Sequence, residues 1–403
     1  MFKLFILSCA ILGLSIATLR AGDWPHWRGP ARNGHSTETA WLDQWPAGGP
    51  KVAWKASVGL GFSTFVVANG RVLTTGHADG KDTVFCFDAD SGKILWKHSY
   101  AAELGDKYFE GGATGTPTID GERVYQLSRW GDLFCLDAAS GRVIWSKNLQ
   151  KEADVRVPDW GFSGAPLVHG NLLILNVGDA GMALDKTSGK IVWQSKNKEA
   201  GYSTPLPVSR GSETLVLLGS RQSYVAVDAL TGKEAWRHRW LTQYGVNAAD
   251  PIVQGDLVFI CTGYGKGAAM LKTGAGQPQE LWKSKALRTQ LNPAVLVDGH
   301  LYGVDGDTTS PASLKCIEFA TGTEKWEFPK VGSGALIAAG GRLIVLSGTG
   351  ELMVAPASPA GFKPTARAQV VQGKCWTSPV LANGRIFCRS VPGDVVCLDV
   401  RKP

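Results

Sequence analysis

The stretch AVDALTGKEAW, residues 226–236, decides the fold because the chain repeats it. Four further copies are CFDADSGKILW (86–96), CLDAASGRVIW (135–145), ALDKTSGKIVW (183–193) and CIEFATGTEKW (316–326). In each copy a small residue comes first, an acidic residue third, Ser or Thr and Gly sixth and seventh, and Trp last. A repeat of this kind indicates that one supersecondary unit accounts for most of the chain.

The pattern within each copy is typical of a strand, a tight turn and a second strand. The acidic residue and the Ser or Thr can accept hydrogen bonds from backbone amides of the turn, and the Gly supplies a positive φ. The closing Trp buries a large ring. We expect Trp236 to dock between its own sheet and the next one, which explains the small residue, Ala226, ten positions before it.

The closing tryptophans set the period of the repeat. They are Trp54, Trp96, Trp145, Trp193, Trp236, Trp282 and Trp326. A spacing of about 40–50 residues suits a four-stranded propeller blade and is too long for a helix-pair repeat of about 34. The chain also ends three strands into a blade, whereas VAWK at 52–55 is an outer strand without a preceding blade. These features predict an all-β, eight-bladed β-propeller of four-stranded antiparallel blades, with the last blade closed by the N-terminal strand.

The predicted blades divide residues 51–403, which form one propeller domain. Their bounds are 62–96, 114–145, 162–193, 202–236, 247–282, 292–326, 332 to about 369, and 375–399 together with Trp54. Blade five carries a degenerate unit, MLKTGAGQPQELW, which keeps Trp282 but lacks the acidic residue. Blade seven keeps three strands and loses the repeated signature.

The first fifty residues have a different character. Lys3, the apolar run at 4–17 and the sequence LRA before Gly22 predict a secretory signal peptide, residues 1–21. A membrane anchor is the alternative, but the run is short of the roughly 20 apolar residues that a span needs. We therefore expect an exported protein of the periplasm or cell envelope of a Gram-negative-type bacterium. Residues 22–50, rich in Trp, Pro and Gly, are predicted to pack on the ring, with a binding arm as the alternative.

Charge and cysteine content limit the classes of function. A formal charge of +7 without clustering does not favour nucleic-acid binding. The absence of a CxxCH motif excludes an attached c-type haem. Most cysteines occupy equivalent strand positions and are predicted to be small core residues. Cys388 and Cys397 flank a turn, and the sequence is compatible both with a disulfide between them and with two free thiols.

The Ala-x-Asp-x-x-Thr-Gly-Lys-x-x-Trp form of the repeat resembles the tryptophan-docking motif of the pyrroloquinoline quinone (PQQ) dehydrogenases. It is shared by the wider PQQ-like propeller family, which includes the BamB-type outer-membrane assembly propellers. The opening DWPHWRGPARNG (23–34) is similar to that of exported PQQ-like repeat proteins of Planctomycetes and Verrucomicrobia. The resemblance covers residues 51–403 and implies PQQ with calcium as the candidate cofactors. The family's enzymes also use an Asp base and usually adjacent cysteines, and this chain has no Cys-Cys pair.

The residues before each inner strand predict a site. FSTF, TGTP, FSGAP, YSTP, NAADP, LNP and WTSP recur at these positions, and a propeller gathers them around one mouth of its channel. The candidates are Phe62, Ser63, Thr116, Phe162, Ser163, Tyr202, Ser203, Thr204, Asn247, Asp250, Asn292, Trp376, Thr377 and Ser378. Hairpin loops on that face add Arg129, Trp130, Asp179, Arg221, Tyr264, Asp307 and Arg389, and Trp160 is a further candidate for stacking on a flat ligand.

These candidates have two interpretations. An aromatic funnel with a few polar groups is the usual form of a ligand site. Alternatively, Ser/Thr-x-Pro starts each inner strand through turn bonding and needs no ligand. Arg129, Arg221 and Arg389 suit a carboxylate or phosphate ligand, or are solvated loop residues. The histidines are scattered without metal-ligand spacing, so neither a metal site nor a catalytic set is assigned.

The main functional hypothesis is a non-catalytic, monomeric scaffold in the cell envelope that binds a protein or peptide partner. The basis for this hypothesis is that the chain preserves the repeat but lacks the residue patterns with which the family's enzymes bind their cofactor. The alternative is a PQQ- and calcium-dependent periplasmic dehydrogenase of alcohols or sugars, motivated by the aromatic mouth. A second alternative is a carbohydrate- or polymer-binding module, motivated by the many aromatic residues.

Overall fold

Eight sheets make up the computed structural model, which describes residues 22–46, 48–307 and 311–402. Each has four antiparallel strands, and one sheet gains a fifth strand by parallel pairing. The predicted eight-bladed β-propeller is confirmed. Within these ranges, helix is limited to one short turn, α1 (Leu149–Glu152), and one 3-10 turn, Gln243–Gly245. None of the helices in these described ranges is long and apolar enough to cross a membrane. The predicted signal peptide, residues 1–21, lies outside the described residues.

The first four blades follow the chain, and each runs from an inner to an outer strand. Blade one has β3 (Val66–Ala68), β4 (Arg71–Ala78), β5 (Lys81–Asp88) and β6 (Ile94–Ala101). Blade two has β7 (Thr118–Asp120), β8 (Arg123–Leu127), β9 (Asp132–Asp137) and β10 (Val143–Asn148). Blade three has β11 (Leu167–His169), β12 (Leu172–Leu175), β13 (Met182–Asp185) and β14 (Ile191–Gln194). Blade four has β15 (Leu206–Arg210), β16 (Glu213–Gly219), β17 (Ser223–Asp228) and β18 (Glu234–Arg239).

The last four blades complete the ring and recruit two N-terminal strands. Blade five has β19 (Ile252–Gln254), β20 (Leu257–Thr262), β21 (Gly267–Lys272) and β22 (Gln279–Ser284). Blade six has β23 (Val295–Val297), β24 (His300–Asp305), β25 (Ser313–Glu318) and β26 (Glu324–Phe328). Blade seven has β27 (Ala335–Ala339), β28 (Arg342–Leu346), β29 (Glu351–Pro356) and β30 (Ala366–Gln369), with β1 (His35–Ser36) added beside β27. Blade eight has β31 (Val380–Ala382), β32 (Arg385–Arg389), β33 (Asp394–Asp399) and β2 (Lys51–Ser57).

The repeated unit forms the turn between the third and fourth strands of a blade. In blade four, Asp228 Oδ1 accepts hydrogen bonds from the backbone N–H of Thr231 at 2.8 Å and from its hydroxyl at 2.6 Å. Gly232 then takes a φ of +68°, which an L side chain rarely adopts. The strand register shifts by one residue after Ala226, so that Trp236 lies directly opposite Ala226. The small residue therefore makes room for the indole.

At five of the described junctions, the tryptophan of one blade contacts the turn glycine of the next blade. Trp193 of blade three donates a hydrogen bond from Nε1 to the carbonyl of Ala229 in blade four at 3.1 Å. A Cβ atom at Gly232 would lie 2.6 Å from the ring of Trp193. The same pairing joins Trp54 to Gly92 and Trp96 to Gly141. Each turn glycine thus serves both its own backbone and the ring of the preceding blade.

The N-terminal strand closes the ring, as the sequence predicts. β2 pairs antiparallel with β33, and Trp54 lies opposite Cys397. Trp54 Nε1 donates to the carbonyl of Ala89 at 3.0 Å, so the junction between blades eight and one uses the same contact as the others. The seven cysteines of the described residues are buried and free. Cys388 lies opposite Val396, which places its side chain on the other face of the sheet from that of Cys397 and excludes a disulfide between them.

Blade seven is more complete than its sequence indicates. A fourth strand, β30, pairs with β29 although the repeated signature and its tryptophan are missing. β1 adds a fifth strand by parallel pairing with β27, with His35 opposite Ala338. Backbone pairing and burial of small apolar residues maintain this blade where the repeat has been lost.

Alanine substitutions at two glycines distinguish the effect of the contact between turn and indole from the effect of backbone strain at the glycine itself. Gly232→Ala adds left-handed strain of about 1–2 kcal/mol and a collision with Trp193 of about 1–3 kcal/mol. Gly211→Ala is the control, since its φ of +61° is similar but no atom lies within 4 Å of an added Cβ. We expect urea unfolding to show a clearly larger loss of stability for Gly232→Ala. Equal losses would contradict the inter-blade contact.

Candidate functional site

A cavity of about 850 Å³ lies at the channel mouth where the inner strands begin. This volume falls within the range of about 300–1,000 Å³ that is usual for ligand pockets. Residues just before seven of the inner strands line it, among them Phe62, Thr116, Thr204, Asp250 and Asn292. We call this cavity the funnel.

Nine aromatic side chains line the funnel. They are Trp27, Phe62, Tyr108, Phe109, Trp160, Tyr202, Tyr244, Tyr264 and Trp376. On one side Trp160 contacts Tyr108, with ring centroids 5.4 Å apart, and also Tyr202 and Tyr244. On the other side Phe62 lies 5.3 Å from Phe109 and 5.6 Å from Trp376. The rings therefore support one another as two connected groups that face the same space.

Two tyrosines at the mouth have unusual backbone conformations. Tyr244 has a φ of +64° within the 3-10 turn, and Tyr264, in the β20–β21 hairpin, has a φ of +52°. Positive φ is a genuine outlier for a bulky residue and concentrates at binding sites. The two rings pack edge to face at 5.5 Å, and Tyr244 is 57% exposed. The fold thus holds an aromatic ring at the rim at a cost in backbone energy.

The charges that line the funnel are mainly negative. Asp106, Glu110 and Asp250 contribute carboxylates. Lys374 is the one lysine or arginine among the described lining residues, and it forms an ion pair with Glu110. Its ammonium group also lies 4.3 Å from the ring centroid of Trp376. The cation of the funnel is therefore already engaged at the rim.

Asp250 is the most buried carboxylate of the funnel. Its Oδ1 accepts a hydrogen bond from the backbone N–H of Thr204 at 2.7 Å, and its Oδ2 accepts one from Trp27 Nε1 at 2.6 Å. Burial raises the pKa of Asp250 to about 6, and the nearby Arg28 guanidinium and these two donors oppose the rise. The carboxyl group is consequently ionised in most molecules at neutral pH.

The N-terminal segment, residues 22–38, occupies the other end of the channel. Trp24 exchanges backbone hydrogen bonds of 2.7 and 2.8 Å with Val67 at the far end of the inner strand of blade one. The carbonyl of Pro25 accepts a bond from Ile119 of blade two, and Ser36 donates one to the carbonyl of Leu381 of blade eight. The segment therefore bridges blades on different sides of the ring.

Two side chains of this segment show how closely it fits. Arg28 is buried and donates to the carbonyl of Ala294 in blade six at 2.8 Å. Burial lowers the pKa of His26 to about 3, with a further contribution from Arg32, so the imidazole is neutral at physiological pH. Trp27 extends from this segment to Asp250 and contributes the floor of the funnel.

Ten of the predicted channel-mouth residues line the funnel. They are Phe62, Thr116, Trp160, Ser163, Tyr202, Thr204, Asp250, Tyr264, Asn292 and Trp376. Several of the polar ones also join neighbouring blades. Ser163 donates to the carbonyl of Tyr202 at 3.0 Å, and Asn292 donates to the carbonyl of Trp376 at 2.8 Å. The recurring polar residues thus connect blades around the mouth, in addition to any contact with a ligand.

Other predicted residues lie within the blades. Ser63 and Ser203 are fully buried, and their hydroxyl oxygens accept bonds from Thr75 N and Gly219 N. Asn247 donates to the carbonyls of Ser220 and Trp240. Phe162 and Thr377, both buried, also lie outside the funnel. The backbone carbonyl of Ser378 accepts a bond from the Thr64 hydroxyl, and the indole of Trp130 donates to the backbone carbonyl of Glu103. These side chains stabilise strands and loops near the mouth.

The three arginines have partners within the chain. Arg389 is fully buried and donates to the carbonyls of Thr75 at 2.6 Å, Ser63 at 3.1 Å and Gly59 at 3.2 Å. Arg129 donates to the carbonyls of Leu104, Gly112 and Trp160. Arg221 forms ion pairs with Glu199 and Asp159. Two loop acids also lie outside the funnel, since Asp179 pairs with Arg237 and Asp307 borders a small pocket between blades six and seven.

Four of the nine aromatic lining residues are absent from the predicted site. Tyr108 and Phe109 belong to the long connection between β6 and β7, and the doublet within DKYFE was the available signal. Tyr244 follows β18 in a connection without a repeat signature. Trp27 lies at the predicted extension, about 220 residues from its partner Asp250 in sequence, so that no local pattern indicates their contact.

The sequence matches the family described as outer membrane protein assembly factor BamB over residues 41–125 and 80–328. The chain belongs to this family. Its structure is similar to that of BamB from Moraxella catarrhalis, with a TM-score of 0.65 and 17% identity over 87% of this chain and 99% of that one. A search of the curated proteins finds no match.

Dehydrogenases share the same architecture. A quinohemoprotein alcohol dehydrogenase from Pseudomonas putida HK5 has a TM-score of 0.67 and 14% identity, over 95% of this chain and 81% of that one. A europium-containing methanol dehydrogenase has a TM-score of 0.69 and 12% identity, over 92% and 90%. At these identities the likeness shows the fold alone, so the protein is a PQQ-like propeller whose chemistry depends on its own residues.

The structural role of the buried Arg389 is tested by comparing its removal with that of the half-exposed Arg221. Arg389→Met leaves several buried carbonyls without donors, each worth about 1–3 kcal/mol. We expect its free energy of unfolding to fall by about 3 kcal/mol or more in urea titrations. Arg221→Met, whose ion pairs lie near the surface, should change stability by no more than about 1 kcal/mol. A similar small loss for both variants would contradict this role of Arg389.

Proposed function

We propose that this protein is an exported, non-catalytic scaffold that binds a peptide segment of a partner protein in the funnel. The observation that carries the proposal is the arrangement of aromatic side chains. Exposed rings of Tyr108 and Tyr244 stand at the rim, and the largely buried Tyr202 and Trp160 lie beside them. Aromatic residues that combine an apolar body with a polar tip are enriched where proteins bind one another.

Family membership supports a protein partner in the cell envelope. The family is described by an assembly factor of outer membrane proteins. The predicted signal peptide, residues 1–21, supports export. The N-terminal segment at the other end of the channel leaves the funnel mouth as the accessible side, which suits the insertion of a side chain or a chain end.

The funnel does not fit PQQ well. The flat rings of this cofactor suit the aromatic wall, but its carboxylate groups would approach Asp106, Glu110 and Asp250. Like charges at short range are unfavourable, above all in a partly buried site. Lys374 is paired with Glu110, and Arg389 donates to backbone carbonyls. Within the described residues, no group of three or more His, Cys, Asp or Glu side chains could hold a metal ion.

Photocrosslinking from the rim tests the proposed partner. A photoreactive phenylalanine analogue at Tyr244 should crosslink in the producing cell to one or a few envelope proteins. The same analogue at Leu230 is the control, because Leu230 is 66% exposed but lies in an outer turn of blade four. Trp160→Ala should lower the Tyr244 crosslink severalfold without loss of folding. Absence of a protein adduct at Tyr244, or equal adducts at both positions, would contradict the proposal.

A thermal-shift titration tests the alternative cofactor. We expect PQQ, with or without calcium, to leave the Tm of the mature protein unchanged. A ligand that binds only the native state adds about 2.7 kcal/mol at a hundredfold excess over its Kd, which is readily measured. A calcium-dependent rise in Tm would favour the dehydrogenase alternative. A dye-linked assay with alcohols and sugars would then follow.

A further inference from the structure

The charge of the funnel lining is opposite in sign to the net charge of the whole chain. The chain has a formal charge of +7, whereas three carboxylates and one paired lysine line the funnel. A concave site with low-dielectric walls concentrates the field of its charges and raises the local concentration of ligands of opposite sign. A cation is therefore the charged group that the funnel attracts.

Rings at the funnel already hold cations of the chain. Lys374 Nζ lies 4.3 Å from the ring centroid of Trp376, and Lys107 Nζ lies 5.0 Å from that of Tyr108. These are cation–π distances, for which about 6 Å is the limit. Among the described residues, no lysine or arginine lies in this way over Trp160, Tyr244 or Tyr264. Within the described residues, no cation of the chain therefore competes with a ligand for these three rings.

Asp250 and Asp106 supply negative charge at two depths. Asp250 lies beside Trp27 at the floor, with the buried Arg28 guanidinium nearby, and each of its oxygens accepts one hydrogen bond from the chain. An ionised carboxylate offers about four acceptor positions, so capacity remains for a further donor. Asp106 is on the exposed β6–β7 connection near the rim. A long basic side chain has an apolar stem for the aromatic wall and a charged head for the carboxylates.

We infer that the partner segment inserts a lysine or arginine side chain into the funnel, with the stem along the Trp160–Tyr244 rings and the cationic head towards Asp250. This inference rests on the proposed function and names the chemical class that the site recognises. A neutral or acidic side chain of similar length would lose the attraction of the carboxylates.

Peptide selection on the immobilised mature protein tests the inference without knowledge of the partner. A display library of random heptapeptides is selected on the wild type and counter-selected on Trp160→Ala, which removes the central ring of the wall. We expect the peptides that depend on Trp160 to be enriched in lysine or arginine and depleted in aspartate and glutamate.

Matched synthetic peptides then measure how much the positive charge contributes to binding. The strongest selected peptide is compared with its acetyl-lysine form, or with the form carrying citrulline in place of arginine, by tryptophan fluorescence titration. Loss of the positive charge should weaken binding about tenfold, which corresponds to about 1.4 kcal/mol. Asp250→Asn should produce a similar loss, and Asp106→Asn, in an exposed loop, keeps the test valid if the first variant folds poorly. Glu213→Gln is the control, since Glu213 pairs with Arg210 on the β15–β16 hairpin, at the end of the inner strand opposite to the funnel.

The outcomes separate the inference from the proposed function. Peptides that depend on Trp160 but bind equally well after neutralisation would overturn the inference and leave the funnel as a peptide site. The same conclusion follows if both aspartate variants fold and bind the basic peptide as the wild type does. Failure to select any peptide that depends on Trp160 would count against both the inference and the proposed function.

Discussion

The contact between an indole and a turn glycine of the next blade is the interaction on which the structure depends. A blade cannot bury both faces of its sheet alone, so stability comes from the surfaces between neighbours. Trp193 meets Gly232 and the carbonyl of Ala229, and equivalent contacts recur at other junctions. Because the contact combines apolar burial, one hydrogen bond and a backbone conformation that favours glycine, it sets the distance and the orientation between blades.

Ring closure converts these pairwise contacts into one body. The pairing of β2 with β33 removes the sheet edges that an open array would expose. It also brings the preceding residues, 22–46 and 48–50, to the propeller, and 22–38 enter the channel. The arrangement that closes the ring thus also gives the funnel its floor, since Trp27 reaches Asp250 from this segment. Ring closure therefore both stabilises the propeller and completes the candidate site.

The candidate site depends on the connections between strands, which vary from blade to blade, and not on the repeated unit alone. Residues before the inner strands form a scaffold of inter-blade hydrogen bonds, such as that from Ser163 to Tyr202. The connections of unequal length then supply the rings and charges, including Tyr108, Asp106 and Tyr244. A repeated scaffold with variable connections is a common basis for binding, since loops can change without loss of the fold.

The sequence by itself determined the number of blades, their order and the closing strand, because these follow from short-range chemistry that recurs at a regular period. It also placed about half of the funnel wall, since residues such as Phe62 and Trp376 have fixed positions relative to an inner strand. Only the tertiary structure decided which polar residues face the cavity. Asp250 precedes the inner strand β19 and Arg389 ends the second strand β32, and both are predicted to lie at the mouth. Asp250 lines the funnel, whereas Arg389 binds backbone carbonyls of the neighbouring blade one. Contacts between residues distant in sequence, such as that of Trp27 with Asp250, depend on the path of the whole ring, and a local pattern carries no information about that path.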